Sequence, residues 1–127
     1  MDAIVTKTHR AVLTVIASAV KERKEGKFFN TNYIAADANG NKELFPGMIV
    51  AEVGSYYVPY NASSAYGATS YVPVGILNEY WDMTLYPKMV SPVTEGTFIE
   101  DYCYVYGSTV GVIPAAVKSV LTHIQWK

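Results

Sequence analysis

The fold of this chain is decided by two stretches, Val74-Gly75-Ile76-Leu77 and Glu95-Gly96-Thr97-Phe98-Ile99-Glu100-Asp101. Each places apolar and β-branched residues next to a single glycine, which predicts two β-strands. Neither stretch contains a nucleophile, a general base or a set of metal ligands. The pair therefore indicates a scaffold whose work is binding and not chemistry.

The length of 127 residues fits one domain with a modest core. Half of the residues are hydrophobic, which predicts a globular chain. The longest apolar run, residues 11–20, is too short to span a bilayer. Charged residues 21–25 follow it at the place where a signal-peptide cleavage site would lie. We therefore expect a soluble protein that is not exported and does not act on a membrane.

The first 27 residues differ from the rest in charge. They carry six basic and three acidic side chains, whereas residues 28–127 carry four basic and eight acidic ones. This contrast predicts an N-terminal arm, residues 1–27, and a domain, residues 28–127. The arm is either an ordinary solvated segment or a segment steered onto an acidic partner. Its basic residues are too few to indicate direct nucleic-acid binding.

Most of the domain follows a β pattern. Asn39-Gly40 and Pro46-Gly47 predict turns, and residues 56–71 predict a long loop or irregular ribbon. Pro114 begins a predicted C-terminal helix, because proline suits the first helical position. The predicted strands cover residues 28–35, 48–53, 72–77, 83–90, 96–99 and 102–106.

The predicted fold class is therefore mainly β: a small antiparallel domain with one C-terminal helix and an extended N-terminal arm. Apolar residues between positions 12 and 20 fit helical spacing, but their β-branched content favours a strand. The local pattern leaves the form of the arm open.

Catalysis requires groups that converge in space and shift each other's pKa. The candidates are His9 in the arm, His123 near the end of the predicted helix, and Cys103 in a predicted strand. They are too few and too scattered to indicate a metal site. We therefore expect no enzyme activity, no cofactor and no metal, and we interpret Cys103 as a packed apolar residue.

The chain contains 11 tyrosines, and ten of them lie between residues 56 and 106. Core and strand packing accounts for some of them. Tyrosine also gives a protein interface a large contact area at low entropic cost and a hydrogen-bonding tip. We expect a protein-binding protein, with subunit contacts drawn from Tyr56, Tyr57, Tyr60, Tyr66, Trp81 and Tyr86.

The two opening stretches, with Asp82-Met83-Thr84-Leu85 between them, resemble the lambda-type head decoration (capsid cementing) proteins of tailed phages. In that family a Val-Gly-Ile-Leu-like strand precedes a Gly-Thr-Phe-like strand that leads into an acidic step. The ending of residues 114–126 is similar to the helix and last short strand of the family. The resemblance covers residues 46–126, and Val74, Gly75, Ile76, Leu77, Gly96, Thr97 and Phe98 would form its core.

This resemblance implies a β-tulip-like domain that forms a homotrimer on the outside of the phage head in the virion, after synthesis in the host cytoplasm. It implies binding to the major capsid protein at three-fold and quasi-three-fold positions of the expanded shell, and resistance to the pressure of packaged DNA. In the family an N-terminal arm commonly adds a strand to a capsid sheet. Here the arm residues would be Ile4, Val5, Val12, Leu13, Thr14, Val15 and Ile16.

Two other functions stay open. One is another structural β protein of the virion, such as a tail-tube or head-completion protein. The other is a small ligand- or carbohydrate-binding β domain whose pocket is formed by the ribbon of residues 56–71.

Overall fold

The computed structural model of the protein describes residues 17–61 and 72–127. Within them the chain forms two single turns of 3-10 helix, Thr31–Tyr33 and Glu100–Tyr102, and one short α-helix, α1 (Ala115–Lys118). The strands are β1 (Ala17–Arg23), β2 (Lys27–Phe28), β3 (Glu43–Leu44), β4 (Ile49–Val53), β5 (Tyr56–Pro59), β6 (Pro73–Ile76), β7 (Trp81–Asp82), β8 (Met89–Val90), β9 (Val93–Phe98) and β10 (Ile124–Trp126). The prediction of a mainly β fold with antiparallel sheets and little helix is confirmed.

The main sheet has the strand order β1-β9-β6-β4-β5, and neighbouring strands in this order are antiparallel. Strand β10 lies parallel to β9 and pairs with its second half. Two small sheets, β2-β8 and β3-β7, stand beside the main one. The two opening stretches thus provide adjacent strands, β6 and β9, which meet where Ile76 pairs with Val93.

Two hydrophobic cores lie on opposite faces of the main sheet. Successive residues of a strand point to opposite faces, and along β4 Ile49 and Ala51 enter one core while Val50 enters the other. The helix-side core contains Val117 of α1 and is completed by Val58, Tyr60, Ile76, Val93, Phe98, Cys103, Val105, Ile113, Leu121 and Ile124. The opposite core, with Val50, contains Phe29, Ile34, Leu44, Met48, Tyr57, Leu77, Met83 and Val90.

Polar side chains shorten several predicted strands. The predicted strand over residues 28–35 stops after Phe28, because the side-chain oxygen of Asn30 accepts the N–H of Asn32 and starts a 3-10 turn. Of the predicted strand over residues 83–90 only β8 forms, and an irregular segment joins it to β7. At the start of that segment Asp82, the last residue of β7, accepts hydrogen bonds from the N–H and the hydroxyl of Thr84, and these bonds lower the pKa of its carboxyl.

The C-terminal part also departs from the predicted pattern. Residues 102–106 do not form a strand. Tyr102 ends a 3-10 turn, and Tyr104 makes only an isolated bridge to Met48. The helix begins after Pro114 but spans one turn, because Ile124 leaves the predicted apolar face and pairs with Gly96 of β9. A pairing partner already held in the sheet outweighs the weak helical propensity of β-branched residues here.

Candidate interaction surfaces

The last part of the predicted arm is a strand of the main sheet. Residues 17–23 form β1, which pairs along β9 and has no second strand beside it among the described residues. Arg23 Nη1 donates to Asn78 Oδ1 at 2.7 Å and to Ser91 O at 3.2 Å. The choice between helix and strand is thus resolved for residues 17–23. The predicted capsid-binding residues, Ile4, Val5, Val12, Leu13, Thr14, Val15 and Ile16, lie outside the described part of the chain.

Residues 24–27 are tied to strands β4 and β5 of the main sheet. Glu52 of β4 accepts a hydrogen bond from Lys27 Nζ, and its other oxygen lies 3.8 Å from Lys24 Nζ. The Tyr57 hydroxyl donates to the carbonyl of Glu25 at 2.6 Å. Burial, and then the negative charge of Glu25, raise the pKa of Tyr57 to about 12. Residues 17–27 therefore belong to the folded body.

The two glycines of the opening stretches sit where neighbouring backbone leaves no room for a side chain. A Cβ on Gly96 would lie 2.4 Å from the carbonyl oxygen of Ala19 in β1. A Cβ on Gly75 would lie 2.7 Å from the carbonyl oxygen of Val93 in β9. Glycine in a strand often marks such a close approach of backbones. Gly96 therefore lets β1 lie close to β9, and Gly75 lets β6 lie close to Val93, the first residue of β9.

The remaining residues of the predicted family core are also in this region. Ile76, Leu77 and Phe98 are buried, and Val74 is half-buried against the opposite core. Thr97 is half-buried, and its hydroxyl donates to Gln125 Oε1 of β10 at 3.4 Å. The seven residues thus belong to β6 and β9 or follow β6 directly, so the fold brings them together.

The predicted subunit-contact residues separate into two groups. Tyr57 and Tyr60 are buried within the chain, where they pack in the two cores. Tyr56 and Tyr86 are exposed, whereas Trp81 is half-buried against the opposite core. Tyr66 lies outside the described residues. Burial gives Tyr57 and Tyr60 a role in packing and leaves Tyr56 and Tyr86 available on the surface.

An exposed aromatic surface combines Tyr56, a predicted contact residue, with Phe28 and Met89, which the sequence did not indicate. Phe28 pairs with Met89 in the β2-β8 sheet, and the bridge between Phe29 and Tyr57 sets Phe28 beside Tyr56. Because Phe29, Tyr57 and Val90 point into the opposite core, these three neighbours point outward. Tyr56, Phe28 and Met89 are 47%, 48% and 52% exposed.

We call the set Phe28, Tyr56 and Met89 the aromatic face. In the loop that leads into β8, Tyr86 is also exposed, and Lys88 Nζ lies 5.7 Å from the centre of its ring. The pairs Phe28-Phe29 and Tyr56-Tyr57 signal that one ring of each pair faces outward, but only the strand pairing shows which one.

The chemical inventory of the described residues is short. Cys103 is buried, its Sγ lies 3.5 Å from the carbonyl of Ile99, and burial raises the pKa of its thiol to about 12. Within residues 17–61 and 72–127 no three or more His, Cys, Asp or Glu side chains are grouped to hold a metal ion. In the same residues no helix is long and apolar enough to cross a membrane.

Comparison of the chain with protein-family models, with curated proteins and with solved structures finds no match. Among the described residues, the edge strand β1 and the aromatic face are the features from which a function can be inferred.

Proposed function

We propose that this chain is a capsid decoration protein, which binds the outside of an expanded phage head as a homotrimer and stabilises it against internal DNA pressure. Its partner is the major capsid protein at three-fold and quasi-three-fold positions, and its domain is of the β-tulip type. The support from the sequence is the order of the Val74–Leu77 and Glu95–Asp101 stretches.

The observation that carries the proposal is the position of β1. It forms the edge of the main sheet among the described residues, and residues 1–16 precede it directly. A segment that precedes an edge strand in the sequence is suited to add a strand to a neighbouring sheet, with affinity supplied by main-chain hydrogen bonds. The anchoring of residues 23–27 to the body supports a load-transmitting connection between such a strand and the domain.

Multiple copies strengthen this mode of binding. Each arm of a trimer would engage its own capsid subunit, so the second and third contacts form at a high effective concentration. Modest contacts of single arms then give a long-lived complex. This is the property that a cementing protein requires.

The first test measures co-sedimentation of the purified protein with expanded, undecorated heads built from the major capsid protein of the same genome. The full chain should bind in multiples of three, with added density at three-fold positions in electron micrographs. A chain lacking residues 1–16 keeps all of β1 and should lose binding. Full binding by this shortened chain would contradict the arm's role, and hexameric rings or tubes would favour a tail-tube protein instead.

A sharper test separates main-chain from side-chain recognition within the arm. Thr14→Pro and Val15→Pro each remove one backbone donor, and consecutive donors of a strand point to opposite sides. If residue 14 or 15 pairs with the capsid, one of these variants should bind at least ten-fold more weakly than its control, Thr14→Ala or Val15→Ala. Equal binding by all four variants would contradict strand addition at this part of the arm.

A further inference from the structure

The turn formed by residues 37–41 places a reactive pair of residues in a hydrogen-bonded backbone. Among the asparagines of the sequence, only Asn39 is followed by a glycine. Asn39 and Gly40 are both exposed. A Cβ on Gly40 would have no atom beyond its chain neighbours within 4 Å. No side chain therefore shields the backbone nitrogen of Gly40 from the side-chain amide of Asn39.

Hydrogen bonds centred on Asp37 close this turn. The carbonyl of Asp37 accepts the N–H of Gly40 at 2.9 Å, and its own N–H donates to the carbonyl of Asn41 at 2.8 Å. Its side-chain Oδ1 accepts the N–H groups of Asn39 and Asn41, both at 2.9 Å. Gly40 has a φ of +81°, a conformation that glycine adopts without strain. The turn thus requires glycine at the position that also makes Asn39 reactive.

The turn is attached to the body of the fold at its C-terminal end. The N–H of Lys42 donates to Thr84 Oγ1 at 3.0 Å, and the carbonyl of Lys42 accepts the N–H of Met83 at 2.8 Å. Met83 is buried in the opposite core. Residues 37–41 can therefore open by breaking the bonds of the turn alone, while the rest of the domain stays folded.

An asparagine side chain and the backbone nitrogen that follows it react with each other without an enzyme, which makes asparagine a thermolabile residue. After losing its proton, the Gly40 nitrogen attacks Cγ of Asn39, and the side-chain nitrogen leaves as ammonia. Water then opens the resulting succinimide ring at either carbonyl and gives aspartate or isoaspartate at position 39. The net reaction consumes water, releases ammonia and replaces a neutral amide by a carboxylate.

In the closed turn the Gly40 nitrogen is not available for this attack. Its N–H is donated to Asp37 O. The Asp37 carboxylate binds the N–H groups of both neighbours of Gly40, so its negative charge disfavours loss of the Gly40 proton. The reaction therefore requires that the turn first opens.

We propose that Asn39 is a site of spontaneous deamidation, and that Asp37 sets its rate by holding the Gly40 nitrogen in the closed turn. This inference goes beyond the decoration role and does not depend on it. Each modified copy gains a negative charge close to Asp37, and the like charges weaken the turn further. The modified fraction therefore rises with the age of the protein.

Peptide mass spectrometry of the full chain, incubated at 37 °C and pH 8, tests the assignment of the site. Trypsin releases residues 28–42 as one peptide, which also carries the internal controls Asn30, Asn32 and Asn41. The mass change of an NH2-to-OH exchange should appear first at Asn39, and an isoaspartate-specific methyltransferase should label the product. Conversion of any of the three controls ahead of Asn39 would overturn the assignment.

A synthetic peptide of residues 28–42 gives the rate at Asn39 without the folded turn. Asn39 should react about two- to ten-fold more slowly in the full chain, the factor that corresponds to one net hydrogen bond. Asp37→Ala in the full chain should remove most of this difference, and circular dichroism checks that the variant is folded. Asp37→Asn keeps an oxygen that accepts both N–H groups and should retain most of the protection.

Gly40→Ala separates the opening of the turn from the reactivity of the pair. Its positive φ is strained for alanine, so this variant opens the turn, but the added methyl group shields the nitrogen. Asn39 should then react more slowly than in Asp37→Ala, both in the full chain and in the peptide. Equal rates in the native chain and the peptide, or an Asp37→Ala chain that reacts as slowly as the native one, would overturn the role of Asp37.

Discussion

At the scale of single residues, close backbone contacts explain why two positions in the opening stretches are glycine. Gly96 and Gly75 face carbonyl oxygens of adjacent strands at distances that exclude a Cβ. A substitution there must move backbone and not only a flexible side chain. The fold thus depends on the absence of a side chain at these two positions.

Gly96→Ala should lower the free energy of unfolding by about 1–3 kcal/mol, the usual cost of overpacking. The added Cβ would lie 2.4 Å from Ala19 O and would force β1 away from β9. Chemical denaturation followed by circular dichroism measures the change. Gly26→Ala is the matched control: its Cβ would approach no atom closer than 3.4 Å, and its stability should change by less than about 1 kcal/mol. Equal stability of both variants and the native chain would contradict the close contact.

The raised pKa of Tyr57 predicts that the stability of the fold depends on pH in the alkaline range. Its pKa is raised from 10.0 to about 12 in the folded chain, so from pH 10 to 12 the unfolded chain loses this proton while the folded chain keeps it. The native protein therefore loses stability as the pH rises through this window. At pH 7, below both values, the neutral hydroxyl and its bond to Glu25 O contribute in full.

Tyr57→Phe should cost about 1 kcal/mol at pH 7, because the carbonyl of Glu25 loses its donor. The deficit should shrink between pH 10 and 12, since phenylalanine does not titrate. Urea unfolding at pH 7, 10 and 11 measures both effects. Tyr56→Phe alters an exposed ring and should stay within about 0.5 kcal/mol of the native chain at pH 7. A deficit that is constant over the whole range would contradict the raised pKa.

At the scale of elements, β1 decides where the arm ends. The charge contrast suggests a boundary after residue 27. Pairing of Ala17–Arg23 with β9 and the ties of Arg23, Lys27 and Tyr57 place those residues within the folded body. The net charge of a segment does not indicate whether its main chain pairs with another strand.

Two deletions separate the arm from the strand. Removal of residues 1–16 keeps every described element and should leave the thermal midpoint unchanged within a few degrees. Removal of residues 1–23 also deletes β1 and leaves one edge of β9 without its backbone partners. The thermal midpoint should therefore fall by much more than a few degrees. Scanning calorimetry compares the two. Equal midpoints would show that β1 contributes nothing to the stability of the body.

The elements also show how far local patterns extend. Strands β4, β6 and β9 lie within or overlap their predicted ranges, because apolar and β-branched runs between turns are local signals. The predicted strands at residues 28–35 and 102–106 are wrong for most of their length. Asn30 diverts the first through a side-chain hydrogen bond, and Tyr104 is held by a single bridge to Met48. The Asn30 hydrogen bond is local and competes with strand pairing, whereas the bridge of Tyr104 depends on a partner far along the chain.

At the scale of the whole molecule, two cores share one sheet. Residues of β4 point alternately into both cores, so loss of either core exposes a face of the same strand. We expect the two cores to unfold as one cooperative unit, as small domains usually do.

The two tryptophans report on the two cores separately. Trp81 packs against the opposite core and Trp126 against the helix-side core. Trp126→Phe and Trp81→Phe each leave one reporter, and the variant Leu44→Ala in each background deletes buried side-chain volume from the opposite core. Fluorescence-detected denaturation should show both reporters losing about 2–5 kcal/mol together. A response of Trp81 with none at Trp126 would indicate two independent folding units.

The sequence by itself determined the mainly β fold class and the two glycine-containing stretches that provide strands β6 and β9, because strand patterns are local. Only the tertiary structure decided that Tyr57 and Phe29 are core residues while Tyr56 and Phe28 form a surface. Phe28 and Phe29 are the same type of residue, as are Tyr56 and Tyr57, so their intrinsic strand propensities do not distinguish them. The face that each one occupies is set by which strands lie beside it, and that pairing joins residues tens of positions apart.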